Sequence, residues 1–154
     1  MERTKSLLKQ YGIKLVLIKK LEKTPVDGFS FWSDENPAIA LTLRHSRIDN
    51  FAFTIMHEIA HIDLHLMQNK EKQFLDLEKD NVQDSFESEA NSYAQKKLIP
   101  VKCWEYIKSR FPATDEDIYE ISKNYSIHPA IILGRISFET NSYGLKTRID
   151  KKLK

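Results

Sequence analysis

The chain has 154 residues, a formal net charge of +2, four glycines, five prolines and a single cysteine. The length suits one domain with a real core. A 41% hydrophobic fraction with 16 aromatics argues against disorder, and one Cys rules out an intramolecular disulfide and any Cys-rich zinc module. The near-neutral balance makes the whole chain a poor electrostatic partner for nucleic acid, and no apolar run approaches the roughly 20 residues that cross a bilayer. The N-terminus also lacks the apolar stretch of a signal peptide, so a cytoplasmic protein is expected.

Residues 1–11 read as a short helix with Leu7, Leu8 and Tyr11 on its apolar side, ended by Gly12. Residues 13–18 are rich in β-branched and aliphatic side chains and predict a strand. A charged connection over 19–27 follows. Residues 29–32 and 38–43 predict two further strands, joined as a hairpin by the turn-forming run Ser33-Asp34-Glu35-Asn36-Pro37.

The period then changes. Ile48, Phe51, Ile55, Ile59, Ile62 and Leu66 recur every three or four residues and predict one helix over 47–67. A polar, mostly acidic surface connection spans 69–84. A helix over 85–99 is stopped by Pro100, and another is expected over 101–110. Thr114 and Asp117 resemble a capping box that starts a helix over 115–125, and Pro129 suits the first position of a last helix over 129–138. Residues 144–154, with five basic residues against Asp150, are expected to form a flexible basic tail on a single domain over 1–143. The fold class predicted is α+β, with a mixed or antiparallel sheet of about three strands and five to six helices.

Three of the five histidines fall at His57, His61 and His65. The first two belong to His57-Glu58-Ile59-Ala60-His61, an HExxH pattern. On a helix, four residues advance about 400° and about 6 Å, so the two imidazoles sit on adjacent turns of one face and can converge on a Zn²⁺. Glu58 lies beside that face, where it can take a proton from water. With five His and twelve Glu in the chain, a chance HExxH has a probability on the order of one per cent.

A third protein ligand is needed. The metzincin extension would place Gly and His where Leu64 and Met67 stand, so that class is excluded. His65, a third turn along a straight helix, would diverge from the other two and is expected behind the ligands or exposed. The helix over 85–99 offers Glu87 and Glu89. Glu89, followed by the small Ala90 and Ala94, is the choice, with Glu87 expected to point roughly the opposite way.

The blocks FTIMHEIAH, ESEANSYAQKKLIP and SIHPAIILGRIS, in that order, resemble the ImmA/IrrE metallopeptidase family. The resemblance covers roughly residues 26–138. It implies a zincin-like fold, His57, His61 and Glu89 as zinc ligands, and Glu58 as catalytic base. Tyr93, His128 and Arg135 are candidate donors to the oxyanion, Arg135 because the family commonly has Arg there. A substrate strand would add to the hairpin, with 38–43 as the chosen edge, the competing reading of 38–43 being an ordinary core strand. The implied activity is a cytoplasmic endopeptidase of bacterial or mobile-element origin that cleaves a repressor, antitoxin or similar regulator. Some relatives carry an upstream DNA-binding domain, for which there is no room before Gly12.

Two other readings compete. One is a non-catalytic metal-binding regulatory domain, against which the complete HExxH argues. The other is a DNA-binding module through 117–136, which has helix-turn-helix spacing. That segment puts Ala130, Ile131, Ile132 and Leu133 where base-reading side chains are required, so no direct nucleic-acid contact is expected. Cys103, beside Trp104, is expected in the core.

Overall fold

The computed structural model describes residues 1–18, 26–42, 45–68 and 81–153, with the backbone alone at 81–84. The expected connection over 19–27 and the acidic stretch from 69 lie largely outside the described residues. The elements are α1 (Glu2–Gln10), β1 (Lys14–Leu17), β2 (Gly28–Ser33), β3 (Asn36–Leu41), α2 (Ile48–His61), a π turn (Ile62–Leu66), α3 (Asn81–Leu98), α4 (Val101–Ser109), α5 (Asp115–Tyr125) and α6 (Pro129–Glu139). The protein is therefore α+β. The chain divides into two compact units, one from residues 1–45 and 54–94, the other from 46–53 and 95–153.

The first unit holds a three-stranded mixed sheet in the order β1-β3-β2. Gly12 takes φ +74° to turn the chain from α1 into β1, a conformation that costs glycine little. The β2–β3 hairpin turns on Asp34 and Glu35 alone, with Ser33 opposite Asn36 and Asp34 at φ 58°. Asn36 and Pro37, expected in the turn, instead begin β3.

One expectation is corrected here. The strand over 38–43 is not an open edge, because β3 pairs with β1 in parallel and with β2 antiparallel. Ala38, Ile39, Ala40 and Leu41 are accordingly buried. Among the described residues, β1 and β2 form the edges of the sheet.

The second unit is built on an aliphatic core. Ile107, Ile118, Ile121, Ile132, Leu133 and Ile136 pack with the buried Cys103. Thr114 caps α5 through the expected reciprocal box with Asp117, and Pro129 opens α6. The close passage of α6 past residue 49 explains Gly134, where a Cβ would stand 2.6 Å from that of Asp49.

The segment expected as a flexible tail makes defined contacts in the second unit. Ile149 is buried in this core, and the Thr147 hydroxyl and Arg148 amide both donate to the Asp115 carboxylate at 2.7 Å. The backbone then continues alongside 46–48, with Ile48 N–H donating to Lys151 O at 2.8 Å and Leu153 N–H to Ser46 O at 3.1 Å. One apolar side chain and a set of backbone bonds tie this basic segment to the unit.

Candidate metal centre

The helix predicted over 47–67 is not uniform. It is α-helical to His61 and then makes a π turn, in which Met67 N–H reaches Ile62 O at 3.0 Å. A π turn takes up about one more residue than an α turn, so the fourth residue onward falls short of a full revolution instead of passing it. His65 is thereby swung back toward the face that carries His57 and His61. The rearrangement leaves carbonyls in need of donors, and the Trp32 indole N–H on β2 donates to Leu66 O at 3.1 Å.

His57 and His61 point their Nε2 atoms at each other, 3.0 Å apart. The carboxylate that meets them is that of Glu87. Its Oε2 lies 3.2 Å from His57 Nε2 and its Oε1 3.1 Å from His61 Nε2. Glu89, the residue chosen from sequence, instead places Oε2 3.3 Å from His65 Nε2. Residues two apart on a helix lie about 200° apart, and the face of α3 turned toward the two histidines carries Glu87 and, one turn on, Asn91. Asn91 Oδ1 accepts from His57 Nδ1 at 3.0 Å. Ala90 and Ala94, both fully buried, let α3 approach. The Glu87-x-x-x-Asn91 spacing puts both residues on one face, but the sequence does not say which face of α3 turns inward.

Ligand atoms from His57, His61 and Glu87 all lie within 4.8 Å of one another. Donors around a tetrahedral zinc with bonds of about 2.0–2.1 Å stand about 3.3 Å apart. The separations of 3.0, 3.1 and 3.2 Å therefore fit that ion in spacing as well as in ligand type. Hydrogen bonds from both imidazoles hold the Glu87 carboxyl far below the usual carboxylate range. Burial pulls the His57 imidazole down, but Glu87 and Glu58 outweigh it, and the net shift is upward. These are mutually attracting donors of a kind that a cation can bridge.

Glu58 is only 5% exposed. Burial raises its pKa, opposed by the neighbouring His57 and His61. β2 closes over it at Gly28, where a Cβ would stand 2.6 Å from Thr54 Cγ2 and 2.7 Å from Glu58 Oε1. Only glycine leaves that carboxylate its present position.

The other three candidates are engaged elsewhere. The Tyr93 hydroxyl donates to Asp63 Oδ2 at 3.2 Å, and burial with Asp63 raises its pKa. In the second unit His128 caps α6, its Nδ1 accepting from Ala130 N–H at 3.2 Å. Arg135 pairs with Glu139 at 2.7 Å and lies over the Trp104 ring, 4.9 Å from its centroid. Cys103 is fully buried, and burial raises its thiol pKa. Residues 117–136 bury Ile118, Ile121, Ala130, Ile132, Leu133 and Ile136, so their apolar side serves the core.

A family model, Peptidase_M78: IrrE N-terminal-like domain, matches residues 8–137. The chain belongs to that family. The Peptidase_M78 match contains the HExxH helix, α3 and the whole sheet, and it establishes the ImmA/IrrE kinship read from the three sequence blocks. Among solved structures, a Mycobacterium tuberculosis transcriptional regulator is similar at 16% identity with a TM-score of 0.47. The alignment covers 88% of this chain and 40% of that one, so this chain spans less than half of the regulator's length. A search of curated proteins gives no match. Among the described residues, no helix is long and apolar enough to cross a membrane.

Proposed function

We propose that this Peptidase_M78 chain is a zinc-dependent endopeptidase with His57, His61 and Glu87 as its metal ligands and Glu58 as its general base. Glu87 replaces Glu89 in this assignment because its carboxylate, unlike that of Glu89, meets both imidazoles. That convergence of three donors beside a buried glutamate is the observation that carries the proposal.

When bound, the zinc supplies Lewis acidity and a water acidified toward neutral pH. Glu58 takes the proton from the attacking water and returns it to the leaving amine. Its raised pKa suits both halves of that task, since a base held closer to neutrality also serves as an acid. Asn91 holds the His57 ring in place by accepting from Nδ1. The substrate enters as an extended strand along β2, the edge strand that carries Gly28 against Glu58.

The substrate class is a regulator such as a repressor or antitoxin, as the family kinship suggests. The lone cysteine supports action in the cytoplasm. Glu58→Gln tests the mechanism. It is expected to retain zinc and lose cleavage of regulators encoded beside the gene by about 10²–10⁴-fold, read by mass spectrometry of the products. Cleavage at the wild-type rate would remove Glu58 from the role of base.

A further inference from the structure

We infer that Glu89 and His65 form a positioning relay behind His61, fixing its imidazole as the Nδ1–H tautomer so that Nε2 offers a lone pair to the metal. This rests on the reading of His57, His61 and Glu87 as ligands.

The chain of hydrogen bonds runs in one direction. An ionised carboxylate only accepts, so the Glu89 Oε2 contact at 3.3 Å requires a proton on His65 Nε2. In a neutral imidazole the other nitrogen is then an acceptor. His65 Nδ1 lies 3.1 Å from His61 Nδ1, which donates to it once His61 Nε2 is on the metal. Without a metal, His61 Nε2 carries the proton it donates to Glu87 Oε1 at 3.1 Å; when the metal replaces that proton, the relay behind Nδ1 keeps the ring turned with Nε2 toward it. His57 reaches the same state by a shorter route, since Asn91 Oδ1 accepts from its Nδ1–H. Both ligating nitrogens are thus prepared from behind, one by an amide and one by a two-residue relay.

The relay exists because of the π turn, which brings His65 behind His61. The Trp32 bond to Leu66 O and the Phe86 ring, 4.5 Å from the His65 ring centroid, hold it there. The His65 side chain is only 3% exposed while that of Glu89 is 57% exposed, so the relay ties a buried ligand to a solvated charge. Such partners typically account for about 10–100-fold in metal affinity.

Glu89 is exposed enough to be replaced without threatening the fold. In chelator competition with Zn²⁺, Glu89→Ala is expected to bind one zinc about 10–100-fold more weakly than the wild type. Glu89→Gln should recover most of that loss, because its amide oxygen still accepts from His65 Nε2–H. ¹H–¹⁵N NMR of the zinc-loaded protein should show a hydrogen-bonded His61 Nδ1–H far downfield, moved upfield in Glu89→Ala. Unchanged affinity and Nδ1–H shift in Glu89→Ala would overturn the relay, as would a Gln variant no better than Ala. Loss as complete as in His61→Ala would overturn it too, because Glu89 would then be a ligand. Full zinc binding by His61→Ala would instead remove the metal-site reading on which the relay rests.

Discussion

The two units bury different things. In the first, Ser30, Glu58, His61 and His65 are all buried, so a hydroxyl, a carboxyl and two imidazoles are held away from water. In the second, the core is aliphatic, with Ser137 as its buried polar residue. Desolvated charge costs stability unless it is paired, whereas buried aliphatic area supplies it. One unit therefore spends stability on reactive groups, and the other gains it from packing and from capped helices.

Substitutions can break that contrast. The largest effect is expected from Ile121→Ala in the second unit, since Ile121 is 1% exposed within the core. It should cost about 2–5 kcal/mol in denaturant unfolding and leave zinc stoichiometry unchanged. A lost metal with the same mutation would mean that the two units do not divide the work in this way.

Gly28→Ala should have an intermediate effect. Overpacking against Thr54 and Glu58 is expected to cost about 1–3 kcal/mol. Its signature is that cleavage falls further than zinc binding does, because the clash falls on the carboxylate and not on the imidazoles. Equal losses of both would argue that Gly28 serves only the sheet.

The smallest effect is a pH dependence in the second unit. Asp115 is held below its ordinary value by the Arg148 amide and the Thr147 hydroxyl, and Asp117 by the backbone and hydroxyl of Thr114. For carboxyls depressed in the folded state, the stabilisation is present above the unfolded pKa of about 3.9 and is lost as pH falls through the folded values. Hydrogen exchange should therefore show the start of α5 and residues 147–149 opening together below about pH 4, before the core does. Both carboxyls lie near the surface, so salt should weaken the effect. Simultaneous opening of the core would contradict a local origin.

What could be read from sequence followed how local each feature is. His57, Glu58 and His61 depend only on spacing within one helix. The α5 capping box and Pro129 at the start of α6 are likewise written in neighbouring residues. The residue of α3 that meets the two imidazoles was not legible because the rotation of α3 about its axis decides between Glu87 and Glu89, and no local pattern fixes that rotation. The π turn has no residue signature in IDLHL, although it determines where His65 goes. The central place of β3 follows from parallel pairing with β1, a nonlocal contact. The anchoring of 144–153 rests on Ile149, one apolar residue among charges.

The most direct test is zinc per chain, by metal analysis, in the wild type, His61→Ala, Glu87→Ala and Glu89→Ala at saturating zinc followed by exhaustive buffer exchange. The account predicts one zinc in the wild type, none in His61→Ala or Glu87→Ala, and a retained but more readily chelated zinc in Glu89→Ala. A full complement in Glu87→Ala together with an empty Glu89→Ala would contradict it.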